Sequence, residues 1–304
     1  MDRLQNMTTF VAVAEEQSFS AAARRLNISP PVVTRAVAEL EQTLGVKLLN
    51  RTTRYVRPTE AGLRYVEDAR RILEEIELAD EAAAGINAKP RGGLVVTAPV
   101  LFGRMHVMPG IVDYLNRYPE TRVRALFLDR VVNLVEEGID VGIRIGQLPD
   151  SSMRALKVGS VGLITVASPS YIETMGKPES PKALSNYATI ASSAADNFIG
   201  WQFKASNKTQ AFRINPRLVV SSNSAAIEAT RAGFGITRVL AYQVAEYIES
   251  GELIPLLQNF EPEKSPIHIV HREERNSSSK IRAFIDILVD SLRSNERLNG
   301  KGHP

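Results

Sequence analysis

The chain has 304 residues, of which 44% are hydrophobic and 23% charged, and its formal net charge is +3. This length predicts two or three hydrophobic cores, and the composition is typical of a soluble globular protein. The absence of cysteine excludes disulfide bonds, thiolate zinc sites and cysteine-based redox sensing. The four histidines lack metal-ligand spacing, so neither a metal nor another cofactor is expected. No apolar run is long enough for a membrane span or a signal peptide, which predicts a cytoplasmic protein.

Two short helices are predicted on either side of a tight turn at residues 27–29. Ser18 and Ser20 are candidate caps of the first helix, which carries an alanine-rich apolar face. The second helix starts at Pro30, where the missing N–H group would have had no partner inside the helix. The spacing predicts a helix-turn-helix.

In the second helix, Val33, Val37, Leu40 and Leu44 share one face and are expected to be buried. Arg35 lies on the opposite face, in the part of a recognition helix that usually meets base edges, and an arginine there can bind O6 and N7 of guanine. The residues of this helix that we predict to reach DNA are Ser29, Pro30, Pro31, Thr34 and Arg35.

Residues 48–57 contain two short runs joined by a polar turn, which predicts a basic wing. From Gln17 to Pro58 there are seven Lys or Arg residues and two Glu residues, a local charge of +5. Positive charge concentrated on a small helical domain is typical of a surface that binds phosphate. The predicted wing contacts with DNA are Arg51, Thr53 and Arg54.

These residues resemble the amino-terminal domain of LysR-type transcriptional regulators. The resemblance rests on the runs SFSAAA at 18–23 and VTR at 33–35, on Leu44-Gly45, and on TEAG at 59–62. It implies an all-α winged helix-turn-helix domain, here residues 1–58, in a bacterial regulator.

A long helix without proline is predicted from Thr59 to Ala88, with Thr59 as its N-cap. Its apolar residues recur at alternating spacings of four and three, which is the heptad pattern of a coiled coil. We predict that this linker, residues 59–89, pairs with the same helix of a second subunit; the alternative is packing on the chain's own carboxy-terminal domain. The predicted dimer seam consists of Tyr65, Ala69, Ile72, Ile76, Ala79, Ala83 and Ile86.

After a hinge at residues 89–93, short apolar runs alternate with helical stretches, which predicts α/β layers with largely parallel strands. Residues 90–304 are expected to form two lobes, about 92–162 with 267–304, and 163–266. The predicted strands are 94–98, 122–128, 141–145, 188–191, 218–221 and 267–271, and the predicted helices are 107–118, 131–137, 224–232 and 281–292.

Two such lobes form a cleft, and open α/β sheets bind ligands beyond the carboxyl ends of their strands. The stretches TAPVLFGR, LVEEGIDVGIRIG and AGFGITRVLAYQV resemble the effector-binding domain of LysR-type regulators, which is similar to periplasmic solute-binding proteins. The resemblance and the strand ends together give these candidate effector-binding residues: Thr97, Pro99, Val100, Leu101, Phe102, Asp129, Arg144, Trp201, Asn223, Thr237 and Arg238. The alternatives are that Leu101, Phe102 and Trp201 are core residues, and that Arg144 pairs with Asp140 or Asp129.

The charge of the ligand can be predicted from the same residues. Arg144, Arg238 and a helix start expected after Phe102-Gly103 favour an anion, while Asp129 opposes one. With an apolar wall beside these groups, the cleft suits a small organic acid.

The other functional hypotheses are an enzyme that uses the cleft and an architectural DNA-binding protein without a ligand. The sequence contains no GxSxG, GxxxxGK[ST] or HExxH motif and no GxGxxG after the first strand, and no histidine is predicted near Ser221-Ser222. We therefore predict a ligand-responsive transcriptional regulator and not an enzyme. Its expected partners are a double-stranded DNA operator, a small-molecule effector and further copies of itself in a dimer or tetramer, with RNA polymerase as a further candidate and no membrane.

Overall fold

The computed structural model describes residues 2–51, 55–84, 89–148, 153–194, 199–205, 208–272 and 278–299. The chain forms two compact units, Met1–Ala88 and Lys89–Pro304, each with its own hydrophobic core. Among the described residues, no helix is both long and apolar enough to cross a membrane.

The first unit is a winged helix-turn-helix followed by a long helix, as predicted. The sequence patterns did not predict its first helix, α1. Its elements are α1 (Arg3–Glu16), α2 (Phe19–Leu26), α3 (Pro30–Leu44), β1 (Leu49–Arg51), β2 (Val56–Pro58) and α4 (Glu60–Ala84). Strands β1 and β2 pair antiparallel, with Asn50 opposite Arg57.

Local signals fix the ends of these helices. Ser18 Oγ accepts a hydrogen bond from Ala21 N at 3.2 Å, so it caps α2 as predicted. Asn27, in the left-handed conformation, ends α2, and Gly45 with φ of +68° ends α3. Ser29 has the N-cap position of α3, but its side chain makes no capping hydrogen bond.

The second unit contains two five-stranded sheets. Its strands are β3 (Gly92–Ala98), β4 (Thr121–Phe127), β5 (Val141–Ile145), β6 (Met153–Val161), β7 (Leu163–Ala167), β8 (Thr189–Ser192), β9 (Gly200–Ala205), β10 (Lys208–Arg213), β11 (Leu218–Val220), β12 (Ile236–Leu240), β13 (Ile254–Leu256) and β14 (Ser265–Arg272). Its α-helices are α5 (Val100–Phe102), α6 (Met108–Arg117), α7 (Pro169–Met175), α8 (Asn223–Arg231), α9 (Ala245–Glu249), α10 (Ser279–Ser294) and α11 (Glu296–Asn299).

The two sheets have equivalent strand orders, β4-β3-β5-β14-β6 and β11-β8-β12-β7-β13. In each sheet the first three strands of this order are parallel to one another. The fourth strand is antiparallel to both of its neighbours, the third and the fifth. The prediction of largely parallel strands is therefore wrong for four of the eight strand pairs in these two sheets, and the separate pair of β9 and β10 is antiparallel as well. The chain passes from the first sheet to the second at Gly162 and returns between Leu256 and Ser265. Strands β7 and β14, which follow these crossings, are the fourth strands of the two sheets and are antiparallel to their neighbours.

The helix predicted at residues 131–137 does not form; the segment is a series of turns. Asn133 Oδ1 accepts a hydrogen bond from Val135 N at 3.1 Å, and Gly138 has φ of +62°. Such a side-chain bond to the local backbone competes with helix formation. Val131 is 79% exposed, so packing does not favour a helix there either.

The helix predicted at 107–118 begins earlier than expected. α5 continues through a π-helical turn, Gly103–Val107, into α6. A Cβ atom on residue 103 would lie 2.4 Å from the ring of Phe127, so glycine lets this helix approach β4. Phe102 and Gly103 therefore lie inside a helical stretch and not at its start.

Candidate nucleic-acid interface and ligand cleft

The predicted DNA-contacting residues of the second helix lie together at the start and on the outer face of α3. Ser29, Pro30, Pro31, Thr34 and Arg35 are all exposed, while the opposite face is buried in the core of the first unit. The face is built from small or short side chains apart from Arg35, which leaves room for the groove of a duplex.

Arg35 is 79% exposed and forms an i,i+4 pair with Glu39 on the same helix. Its Nε donates to Glu39 Oε1 at 2.9 Å. This hydrogen bond, with a second one from Asn6, lowers the pKa of Glu39. Within the described residues, Nη1 and Nη2 of Arg35 have no hydrogen-bond partner, so they can bind a base edge while Nε holds Glu39.

The wing follows α3 directly. The guanidinium of Arg51 lies 4.7 Å from the centre of the Phe19 ring and 3.6 Å from the carboxylate of Glu41, and these two contacts hold this arginine at the base of the wing. Arg57 lies over the ring of Tyr55 at 5.4 Å. The predicted contacts Thr53 and Arg54 lie outside the described residues.

Glu41 anchors the start of the wing and was not singled out by the sequence patterns. It is 4% exposed, and its carboxylate accepts hydrogen bonds from the backbone N–H groups of Leu48 and Leu49. Burial alone would raise the pKa of Glu41, but these bonds and one from Lys47 outweigh it and lower the pKa. Its position on the otherwise apolar inner face of α3 could have identified it, because a buried carboxylate needs hydrogen-bond donors.

The predicted dimer seam on α4 is wrong at Ala69, its second position. Ala69 is fully buried in the core of the first unit, and the ring of Tyr65 packs on that of Phe10 with centroids 5.7 Å apart. Ala69 is therefore not free to meet a second subunit, whereas Tyr65 is only half-buried and stays a predicted seam residue. Further along, Ile72 is 39% exposed, Ile76 half-buried and Ala79 exposed. The side chains of Ala83 and Ile86 lie outside the described residues.

In the second unit, the carboxyl ends of β3 and β4 lie side by side. Asp129 Oδ1 accepts a hydrogen bond from Val100 N at 2.9 Å, so the first N–H group of α5 is already bound to a carboxylate of the chain itself. Val100 is 40% exposed and Pro99 half-buried. Thr97 is fully buried, and its hydroxyl donates to the Leu126 carbonyl at 2.7 Å. The predicted anion site at a helix start after Gly103 is wrong, because that start does not exist.

Leu101, Phe102 and Trp201 are core residues, so the prediction that they face a ligand is wrong. Phe102 is fully buried and packs edge-on against Tyr242, with ring centroids 5.4 Å apart. Leu101 belongs to the same core at 8% exposure. Trp201, at 7% exposure, lies on strand β9 in the separate core of the second lobe.

Arg144, at the carboxyl end of β5, is half-buried under the turns at 131–138. Its Nη2 donates to the Val132 carbonyl at 3.2 Å, and burial lowers its pKa. Pairing with Asp140 or Asp129 is not observed, since these carboxylates accept from backbone N–H groups of Val95 and Val100. Within the described part of the chain, no carboxylate lies within ion-pair distance of Arg144.

Arg238 is committed to a buried ion pair, so its predicted role as a ligand-binding cation is wrong. Its side chain is 2% exposed, and Nη2 donates to Glu261 Oε2 at 2.5 Å. The guanidinium also lies 3.9 Å from the centre of the Phe203 ring. Burial lowers the pKa of Arg238.

The other second-lobe candidates, Asn223 and Thr237, differ in their accessibility. Ser222 Oγ caps this helix by accepting from Ala225 N at 3.3 Å, and Asn223, its first residue, is half-buried. Thr237 is 1% exposed, and its hydroxyl donates to the Ile190 carbonyl at 3.0 Å. Asn223 is therefore accessible, whereas Thr237 holds two strands together.

The strand order places a topological switch point in each sheet. In the first sheet β3 lies between β4 and β5, and in the second β8 lies between β11 and β12. Ligands of open α/β sheets bind outside the carboxyl ends of strands at such points. Tyr242, just after β12, packs on Phe102, just after β3, which brings these two regions together. A separate surface pocket of about 560 Å³ is lined by none of the predicted effector residues; its walls are Met105, His106, Glu246, Asn295, Glu296 and Arg297.

Two family models match the chain along nearly its whole length. Residues 4–63 match the bacterial regulatory helix-turn-helix protein, lysR family, and residues 87–293 match the LysR substrate binding domain. The chain belongs to the LysR family of transcriptional regulators. An uncharacterized HTH-type transcriptional regulator of Haemophilus influenzae is 33% identical over 281 residues, covering 92% of this chain and 98% of the relative.

Solved structures of LysR-type regulators agree with this fold. CrgA of Neisseria meningitidis is 31% identical, with a TM-score of 0.62 over 96% of this chain and 99% of that chain. The full-length virulence activator AphB of Vibrio cholerae is 26% identical, with a TM-score of 0.62 over 95% of this chain and 99% of that chain. LysR-type regulators bind DNA and small-molecule effectors and oligomerise. This LysR-type chain is accordingly a regulator and not an enzyme.

Proposed function

We propose that the chain binds double-stranded DNA with α3 in the major groove and the wing on the backbone or minor groove. The observation that carries this proposal is the exposed face of α3, where a free guanidinium end stands among small side chains. Arg35 contacts a guanine, and Ser29, Pro30, Pro31 and Thr34 line the approach. Arg51, Thr53 and Arg54 contribute from the wing.

The DNA-binding form is a dimer or tetramer in which the exposed part of α4 pairs with its copy. The exposure of Ile72 supports this pairing, because a large apolar side chain exposed on a long helix is expected to be covered by a partner. Ile76, Ala79, Ala83 and Ile86 extend the same stripe, as the heptad spacing predicts. The regulator acts in the cytoplasm, and RNA polymerase is a candidate partner at the promoter.

The effector is a small organic acid that binds at the carboxyl ends of the parallel strands. Arg144 carries this proposal, because it is a half-buried cation whose hydrogen bonds, within the described residues, go to the carbonyls of Ile143 and Val132 and to no carboxylate. Pro99, Val100, Asp129 and Asn223 are the other accessible groups at these strand ends. Thr97 and Thr237 support the site by holding neighbouring strands.

Two measurements test the function as a whole. The full-length chain is used to select duplexes from a random-sequence pool, and recovery of one recurrent sequence motif supports specific DNA binding. A thermal-shift screen of small metabolites on the same chain then identifies effectors, because a ligand of the native state raises its stability. Specific DNA binding without any stabilising or DNA-modulating metabolite would favour the architectural alternative.

A further inference from the structure

The root of the wing, residues 47–49, is held from both sides by helices of the first unit. Leu48 and Leu49 have side chains that are 1% and 3% exposed in the domain core. Their backbone groups are bound by α3 on one side and by the start of α4 on the other. The segment therefore has little freedom to move independently of either helix.

From α3, Glu41 supplies one carboxylate for the whole segment. Oε1 accepts from Leu48 N at 2.9 Å and from Leu49 N at 3.1 Å, and Oε2 accepts from Lys47 Nζ at 2.8 Å. The guanidinium of Arg51 lies 3.6 Å from Oε2. A carboxylate has acceptor sites for all of these donors. An amide has only one oxygen, and its NH2 group would face donors that it cannot bind. The 4% exposure of Glu41 keeps it from touching DNA itself.

From α4, the contacts reach the carbonyl groups of the same segment. Thr59 N donates to the Leu48 carbonyl at 2.9 Å, and Thr59 Oγ1 donates to the Lys47 carbonyl at 2.8 Å. The same hydroxyl accepts from Gly62 N at 2.9 Å and so caps the helix. A Cβ atom on residue 62 would lie 2.0 Å from the Leu48 oxygen, which only glycine avoids.

We propose that Glu41 is a positioning residue for DNA binding, which sets the orientation of the wing and, through residues 47–49, links the wing to the start of α4. The inference rests on the proposed docking of α3 and the wing on DNA. Because α3 holds the N–H groups and α4 the carbonyls of one short segment, neither helix can shift without moving the wing. Engagement of the wing by DNA is thereby coupled to the direction in which α4 leaves the domain.

The test is a double-mutant cycle on the full-length chain, with a duplex selected by the wild type from a random pool as the probe. Glu41→Gln is combined with Arg54→Ala, which removes a predicted wing contact. Glu60→Gln is the matched control, because Glu60 loses the same charge from a side chain that is 85% exposed. Glu41→Gln should weaken binding about tenfold alone but less than about twofold in the Arg54→Ala background, while Glu60→Gln has little effect in either.

Unchanged binding by Glu41→Gln, or equal losses in both backgrounds, would overturn the inference, since a structural defect elsewhere would not depend on the wing. Circular dichroism and thermal unfolding establish that the variant is folded. If it is not, Thr59→Val, which removes the hydroxyl bonded to Lys47, is compared with Thr59→Ser, which keeps it, by the same cycle and criteria. If the wild type selects no duplex, the proposed function itself fails, and this inference with it.

Discussion

Arg238 and Glu261 form an ion pair inside the second lobe, with Nη2 of the arginine 2.5 Å from Oε2 of the glutamate. Thr165 Oγ1 donates to the other carboxylate oxygen at 3.3 Å. Burial raises the pKa of Glu261 to about 7, although Arg238 opposes this shift. Burial strengthens the attraction between the two charges and at the same time makes either charge costly without its partner.

Replacing Arg238 by methionine should therefore cost more stability at pH 8 than at pH 5.5, since only above about pH 7 does Glu261 ionise in the wild type and gain from its cation. Below about pH 7 Glu261 is protonated in both folded proteins, so the pH-dependent part of the cost should be small at pH 5.5 and should grow above pH 7 by at most about 1.4 kcal/mol per pH unit. Denaturation of the full-length variant at pH 5.5 and pH 8 measures this difference. Arg238→Met with Glu261→Gln should recover much of the loss; a cost independent of pH would contradict the explanation.

Arg35→Ala should reduce affinity for a selected duplex by about 1–3 kcal/mol and relax the preference at one base position, because a bidentate guanine contact would be lost. Binding is measured on the selected duplex and on a random duplex. Arg24→Ala is the control, since Arg24 is exposed on α2, outside the predicted contact set. Equal losses on both duplexes would show that Arg35 contacts phosphate and not a base.

Ile72→Asp should weaken subunit association, because the charge would be placed in an apolar contact between two α4 helices. Sedimentation of the variant should show a smaller assembly than the wild type, and affinity for the selected duplex should fall with it. Arg71→Asp changes a neighbouring side chain that is 68% exposed and serves as the control. An intact assembly in Ile72→Asp would place the main subunit contact outside this part of α4.

Arg144→Ala should lower the affinity for a carboxylate effector about tenfold or more, since a charge-assisted contact would be lost. Calorimetry on the full-length chain compares carboxylates with their matched amides. Arg130→Ala is the control, because Arg130 is exposed and already paired with Glu137 at 2.6 Å. The idea of an acidic ligand fails if only neutral or cationic compounds bind, or if carboxylate binding survives the substitution.

Features set by neighbouring residues were predictable from the sequence. Ser18 caps α2, Pro30 opens α3, and the alternation of Val33, Val37 and Leu40 identifies the buried face correctly. Each of these signals acts over a few residues through backbone hydrogen bonding or helical periodicity. The helix-turn-helix and six strands of the second unit follow from such local signals, whereas β6, β7, β9, β10, β12 and β13 were not predicted.

Features that depend on distant partners could not be predicted in the same way. Arg238 meets Glu261 and Phe203, which are far from it in sequence, and Phe102 meets Tyr242 from the other lobe. A cation or a ring at a strand end has the same sequence pattern whether it faces a ligand or a core. The helix prediction at 131–137 was wrong for another reason. The side chain of Asn133 accepts a hydrogen bond from the backbone of Val135, which competes with a weak helical pattern.

The return of β14 to the first sheet has a consequence for synthesis on the ribosome. Among the described strands, β6 pairs only with β14, which lies between it and β5. The second sheet, β7 to β13, is continuous in sequence and ends at Leu256, so all of its strands emerge before β14 does. The lobe that starts first in the chain is thus completed last, and a nascent chain released before Arg272 would carry an unpaired β5 edge open to aggregation.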